Sequence, residues 1–280
     1  MKKVLLPRTL CELWRHWQDE PGAAIYAGGT DLLVQMRNAA VHPPALICLE
    51  RIAELRGIET EGDGIRIGAC ATHAQLLESA LVQQRLPILA QALAVLGSPP
   101  IRNMGTIGGN ICTASPAGDT LPPLYALDAE VELCRRDGVK HMALQDFIVS
   151  PGQTRIDKGE VLTAIWVPKA EGYNLQHYEK AGQRQALAVS IASLAALLRL
   201  SAAGLVEKVR LAWGSVGPTI VTCPAAEEAL VGKRLTLETL QQAAALVRQS
   251  VTPISDVRAD AAYRRALAGN LLLRLLAVPR

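Results

Sequence analysis

Aromatic side chains are scarce in this 280-residue chain: they make up 4% of it, and Phe147 is the single phenylalanine. Leucine, isoleucine, valine and alanine must therefore fill the core. Charge of one sign is not in surplus either, since the formal net charge is +3. No block of lysine and arginine interleaves with aromatics, which argues against nucleic acid as a partner. No run approaches the roughly 20 apolar residues that a membrane-spanning helix needs. Met1-Lys2-Lys3 leads into a strand pattern and then a helix pattern, not into a signal-peptide core, so a cytoplasmic protein without membrane contact is expected. The two commonest nucleotide motifs are missing as well: no G-x-G-x-x-G follows a strand, and no Gly-Lys-Ser/Thr occurs. The six cysteines (Cys11, Cys48, Cys70, Cys112, Cys134, Cys223) are scattered without a C-x-x-C, which suits buried small hydrophobes and no metal.

What is present is apolar content and length. Half of the residues are apolar and a fifth are charged, the balance of a globular chain with room for two domains. The most unusual stretch runs from Leu96 to Pro123, LGSPPIRNMGTIGGNICTASPAGDTLPP. It holds too much glycine, proline, serine and threonine for a buried element, yet too many short apolar residues for a solvated linker. Gly108-Gly109 lets backbone amides approach a phosphate, Asn110 tolerates a left-handed turn, and Thr106 adds a hydroxyl. A second glycine pair lies in Tyr26-Ala27-Gly28-Gly29-Thr30-Asp31, where a short apolar strand ends and a helix pattern begins. Such a junction turns amides toward an anion, and Asp31 reads as a helix cap or a ribose contact. Together the two segments suit a clamp on the two phosphates of a dinucleotide.

The rest of the chain alternates short strands and helices. Strands are expected at Val4–Leu6, Ala23–Tyr26, Ala45–Leu49, Ile65–Ile67 and Val161–Val167, with a hairpin about Asp137-Gly138. Capping-box patterns at Thr9/Glu12 and Thr72/Gln75 open helices, and Pro87 opens another that stops at Gly97. Trp14 and Trp17 fall on one helical face with Leu10 and Leu13, as core residues do. Lys169–Asn174 is polar and reads as a domain boundary. Beyond it, Leu175–Lys180 is strand-like and Ala186–Leu200 is ambiguous: alanine content favours a helix, pairing with Val206–Val216 a hairpin. Helices are expected over Leu237–Gln249 and Asp260–Leu276. The closing stretch is basic through Arg258, Arg264, Arg265, Arg274 and Arg280 against Asp260, which reads as a solvated helix face or a docking surface.

Three segments carry a resemblance: YAGGTDLL at 26–33, IRNMGTIGGNICTASPAGDTLPPL at 101–124 and PISDVRADAAYRR at 253–265. In order and separation they resemble the FAD-binding subunit of the xanthine dehydrogenase and carbon monoxide dehydrogenase family, the molybdenum hydroxylases. The resemblance implies an α+β fold. Residues 1–170 would form a two-subdomain FAD-binding domain of the p-cresol methylhydroxylase and vanillyl-alcohol oxidase type, and residues 171–280 a smaller α+β domain of antiparallel sheet and helices. It tips Ala186–Leu200 toward strand.

The resemblance assigns FAD contacts to Ile25, Tyr26, Ala27, Gly28, Gly29, Thr30 and Asp31, and to Thr106, Ile107, Gly108, Gly109 and Asn110. It puts Asp119 near the flavin end, Lys180 close to the isoalloxazine and Leu162 beside the ring. Ala188 stands where the family often has an aspartate, beyond the arginine matched by Arg184. The chain lacks the cysteine-rich insert with which some relatives hold an iron–sulfur cluster. The histidines His16, His42, His73, His141 and His177 are isolated, and no catalytic triad or carboxylate pair is readable. The implied function is electron transfer through FAD, from a two-iron two-sulfur small subunit to NAD or another acceptor, beside a molybdopterin-binding large subunit. The alternative is a self-sufficient flavin oxidase or reductase of the same fold, which would need its own base in the C-terminal part.

Overall fold

The computed structural model describes residues 2–184 and 187–278. The fold is α+β. Three parallel strands open the chain, in the order Lys3–Leu5, Ala45–Cys48, Ala24–Tyr26. Ala45–Cys48 is central and fully buried, as a strand covered on both faces must be. The helix Leu10–Asp19 starts where the Thr9 hydroxyl accepts the Glu12 amide, and it packs Leu13, fully buried, against Ile47 and Ile52. Trp14 and Trp17 stack at 5.9 Å on the edge of this core.

A five-stranded antiparallel sheet follows, ordered Ile58–Glu61, Gly64–Gly68, Val161–Val167, Glu130–Arg135, Gly138–Ala143. Arg66 reaches across the sheet to Glu132, 2.7 Å away, and both side chains are mostly covered. Six helices are inserted between Gly68 and Glu130. Thr72 and Gln75 close the expected capping box on His73–Glu78, and Pro87 opens Pro87–Val95. Gly97, at φ 49°, takes the left-handed conformation that ends this run.

The C-terminal sheet is antiparallel, Leu175–Ala181, Ala192–Leu200, Val206–Gly214, Val221–Thr222. Ala186 lies outside the described residues; of the rest of the ambiguous stretch, residues 187–191 are irregular and Ala192–Leu200 is a strand paired with Val206–Gly214 across residues 201–205. Its two faces enter different cores. Ala195 and Leu197 point into the core of the five-stranded sheet and its inserted helices, whereas Leu194, Ala196 and Leu198 point toward Leu237–Ser250 and Ala261–Leu273. A strand sandwiched between two layers carries no polar alternation, which is why its composition resembled a helix. The basic terminus is not a uniformly wet face. Arg264 is 3% exposed and bonds Asp256 at 2.7 Å and the Ile191 carbonyl at 2.7 Å. Arg280 lies outside the described residues.

Candidate functional site

The two glycine pairs, some 80 residues apart in the chain, meet. The strand Ala24–Tyr26 delivers the segment 27–31 to the backbone of residues 104–105. A Cβ at Gly28 would overlap the carbonyl oxygen of Met104, so contact with that turn admits only glycine there. Gly29 sits at φ +70°, a conformation costly for other residues. The amides of Gly28, Gly29, Thr30 and Asp31 donate to no other group among the described residues. Asp31 does not cap its helix. Its Oδ2 accepts from Gln35 Nε2 at 2.9 Å and lies 3.1 Å from Thr113 Oγ1, tying the first segment to the second.

The second pair is not a loop. Thr106 caps the helix Ile107–Thr113, so Gly108, Gly109 and Asn110 form its first turn. The expectation that consecutive amides here face a phosphate is corrected, because those amides are spent. Ile107 N–H donates to Ala71 O at 3.1 Å and Gly108 N–H to Ala69 O at 2.9 Å. Gly109 N–H reaches Thr106 Oγ1 at 3.1 Å and Asn110 N–H reaches Thr106 O at 2.9 Å. Gly108 is needed for close packing, since its Cβ would fall 2.6 Å from Ala69 Cβ. Ile107 is fully buried, a core residue rather than a groove residue. Gly109 differs: a Cβ there would meet only Thr106 Oγ1, at 3.0 Å, and would stand in open space.

That space is a groove of about 540 Å³. One side is Ile25 through Asp31, the other Thr106, Gly109, Asn110 and Thr113, with His73, Leu96 and Gly105 between. Across Gly108, Gly109 and Cys112 lies a second cleft of about 430 Å³ with apolar walls from Trp17, Leu49, Ile156 and Leu162. Leu162 lines this second cleft and not the groove that Asn110 lines.

Asp119 and Lys180 are brought together, although 61 residues separate them. Lys180 Nζ is 2.6 Å from Asp119 Oδ2, and Tyr178 OH donates to Oδ1 at 3.1 Å. Burial raises the Asp119 pKa and the Lys180 charge opposes that rise. Neither side chain lines the groove, but both neighbour residues that do. Asn110 Oδ1 accepts from Thr120 Oγ1 at 2.6 Å, and Lys180 Nζ lies 3.3 Å from the carbonyl of Val95, next to the groove residue Leu96.

Thr113, Tyr178 and Thr120, which bond Asp31, Asp119 and Asn110, escaped the sequence reading, and His73, read there as isolated, lines the groove. His73 is buried with its Nδ1 unpartnered, and burial, aided by Arg102, lowers its pKa to about 4. Its only sequence mark was the capping Thr72 before it.

Comparisons place this chain in a known group. Residues 1–170 match the FAD binding domain in molybdopterin dehydrogenase, and residues 176–278 the CO dehydrogenase flavoprotein C-terminal domain. The xanthine dehydrogenase FAD-binding subunit of Escherichia coli O157:H7 is 33% identical over 271 residues, covering 96% of this chain and 92% of the relative. The carbon monoxide dehydrogenase medium chain of Hydrogenophaga pseudoflava is 34% identical over 254 residues, covering 91% and 88%. Among solved structures, carbon monoxide dehydrogenase from Hydrogenophaga pseudoflava superposes with TM-score 0.92 at 34% identity, over 99% of this chain and 96% of that one. Quinoline 2-oxidoreductase from Pseudomonas putida 86 gives 0.94 at 26% identity, over 99% and 96%. A groove between two glycine segments, in a fold shared end to end with these enzymes, makes the chain a member of the FAD-binding subunits of the molybdenum hydroxylase family, the oxidoreductases that include xanthine and carbon monoxide dehydrogenases.

Proposed function

We propose that this chain holds FAD in the groove between its two glycine segments and carries electrons within a molybdenum hydroxylase complex. The observation behind this reading is the convergence of 25–31 and 106–113 on one groove whose free donors are the amides of Gly28 to Asp31. These amides suit the pyrophosphate oxygens, being unpartnered donors at a turn that lines the groove. Gly109 suits the cofactor for a different reason, leaving open the passage that a Cβ would occupy. The apolar cleft of Trp17, Leu49, Ile156 and Leu162 fits the adenine base, excluding water from its faces. On this reading Leu162 contacts the adenine end rather than the flavin ring, and Asp119, Lys180 and Asn110 lie at the flavin end.

FAD, when bound, would supply the redox chemistry linking a two-iron two-sulfur subunit to NAD or another acceptor. The chain's own residues bind it, orient it and set the charge around it. At the flavin end that charge is a buried ion pair, not a lone cation, because Lys180 is committed to Asp119. Oxidation of the organic substrate would fall to a separate molybdopterin-binding subunit. Relatives described as medium chains of carbon monoxide dehydrogenase support a multi-chain assembly.

The test is Gly109→Leu. Since a side chain there meets little protein, the variant is expected to fold, with unchanged far-UV circular dichroism, while losing bound flavin and, in the complex, electron transfer to the acceptor. Flavin content equal to the parent's would contradict the reading. The division of labour has its own check: the flavin-loaded chain alone should not turn over hypoxanthine or an aldehyde, and a complex with two unlike subunits should turn over one substrate of this kind.

A further inference from the structure

His73 is 3% exposed, yet it lines the groove between the two glycine segments. Its backbone is firmly held. Thr72 before it caps the helix His73–Glu78, a backbone bridge ties Thr72 to Thr106, and the His73 amide donates to the Gly105 carbonyl at 2.9 Å. The imidazole packs on Gly105, where a Cβ would lie 3.1 Å from Cδ2 and 3.4 Å from Nε2. Gly105 is also the neighbour of Gly28, whose own Cβ position falls 3.1 Å from the Gly105 nitrogen. The ring edge that carries Nε2 and the glycine segment with the free amides therefore flank one residue of the groove wall.

The two ring nitrogens differ. Nδ1 is sealed from water and has no hydrogen-bond partner, whereas Nε2 is not sealed and no described residue bonds it. With Nδ1 shut inside, Nε2 is the ring nitrogen that opens on the groove. Burial and the nearby Arg102 guanidinium lower the His73 pKa to about 4, so the ring is neutral and carries one proton. Buried N–H groups without an acceptor are rarer in folded proteins than acceptors short of a donor. The proton is therefore assigned to Nε2, which makes the ring a donor toward the groove.

The surrounding charge favours an anion. Arg102 bonds only carbonyls, those of Leu96 at 2.9 Å and Gly97 at 3.2 Å, and it forms no ion pair among the described residues. Asp31, a carboxylate on the groove lining, turns its Oδ2 to Gln35 and Thr113. The amides of Gly28 to Asp31 are unpartnered donors as well. A ligand met by this donor set and by an unbalanced cation must bring acceptor oxygens and negative charge.

We infer that His73, as a neutral imidazole, donates from Nε2 to a diphosphate oxygen of the cofactor, alongside the amides of Gly28 to Asp31. The inference rests on the reading of the groove as the FAD site, and it adds a side chain to a diphosphate contact made so far of backbone alone. A neutral donor suits the place, because it holds the phosphate without the desolvation cost of a second buried cation.

Three substitutions separate a hydrogen bond from packing. Glutamine carries its amide nitrogen about where Nε2 lies, asparagine about where Nδ1 lies, and phenylalanine fills the space without a donor. In full chains of equal far-UV circular dichroism, stripped of flavin and titrated with FAD, His73→Phe and His73→Asn should bind FAD about tenfold or more weakly, the size of one hydrogen bond to a charged group. His73→Gln should stay within about threefold of the parent. Phosphorus-31 NMR of the flavin-loaded chains locates the contact: a diphosphate resonance should move in His73→Phe and His73→Asn and return in His73→Gln, with the flavin absorption bands unchanged. Parental FAD affinity in His73→Phe and His73→Asn, an equal loss in all three variants, or shifted flavin bands with unmoved phosphorus resonances would overturn the inference. A parent chain that takes up no FAD would instead sink the cofactor reading itself.

Discussion

Single residues decide what the groove can accept, and two of them make separable claims about charge. Asp119 and Lys180 are about nine-tenths covered and hold one another at 2.6 Å. Removing one partner strands the other as a buried charge, worth about 3 kcal/mol or more. Asp119→Asn and Lys180→Met should therefore each lower the stability measured by urea unfolding by about that amount, with the double variant losing much less than the sum. Additive losses would mean that the two side chains do not act as a pair. His73 gives the pH prediction. Its folded pKa, about 4, lies below its ordinary 6.5, so between these values the unfolded chain binds the extra proton. That contribution is complete above pH 6.5 and is lost as the pH falls toward 4. His73→Gln should show a flatter decline of melting temperature from pH 6.5 to 4.5 than the parent; equal slopes would remove His73 from the account. The glycine pairs were legible in the sequence, but not the reason for each. Gly28 and Gly108 serve close packing against Met104 and Ala69, contacts that no local pattern encodes.

Secondary-structure elements were more readable than their partners. Thr72 with Gln75 announces a helix, and the structure completes both halves of the box. Thr72→Ala should cost about 1 kcal/mol in chemical denaturation, the usual worth of a capping hydroxyl. A change under a few tenths would show the cap to be incidental. Failures of reading fall where tertiary placement overrides local signal. Ala192–Leu200 carries helix-forming residues because both faces of the strand are buried. The turn containing Gly108-Gly109 resembles a loop by composition yet is helical: Thr106 caps it through the Gly109 amide, and the Ile107 and Gly108 amides find acceptors in Ala71 and Ala69, an earlier segment that the sequence does not bring near. Arg264 resembles a surface cation until the fold wraps Ile191, Ser215 and Asp256 around it.

At the scale of the whole molecule, two cores share one sheet. The strand Ala192–Leu200 feeds side chains to both, so the C-terminal half is packed against the part that forms the groove. The Asp119–Lys180 pair spans the same seam, joining the segment after Ile107–Thr113 to the strand Leu175–Ala181. A ligand in the groove should therefore stabilise the folded chain as one body. With free FAD at 100 times its dissociation constant, binding adds about 2.7 kcal/mol. The most direct measurement of the central claim is the absorption spectrum of the purified chain together with the amount of FAD released on acid denaturation. The account expects a yellow protein releasing close to one FAD per chain. A colourless chain whose spectrum and melting temperature are indifferent to added FAD would contradict it.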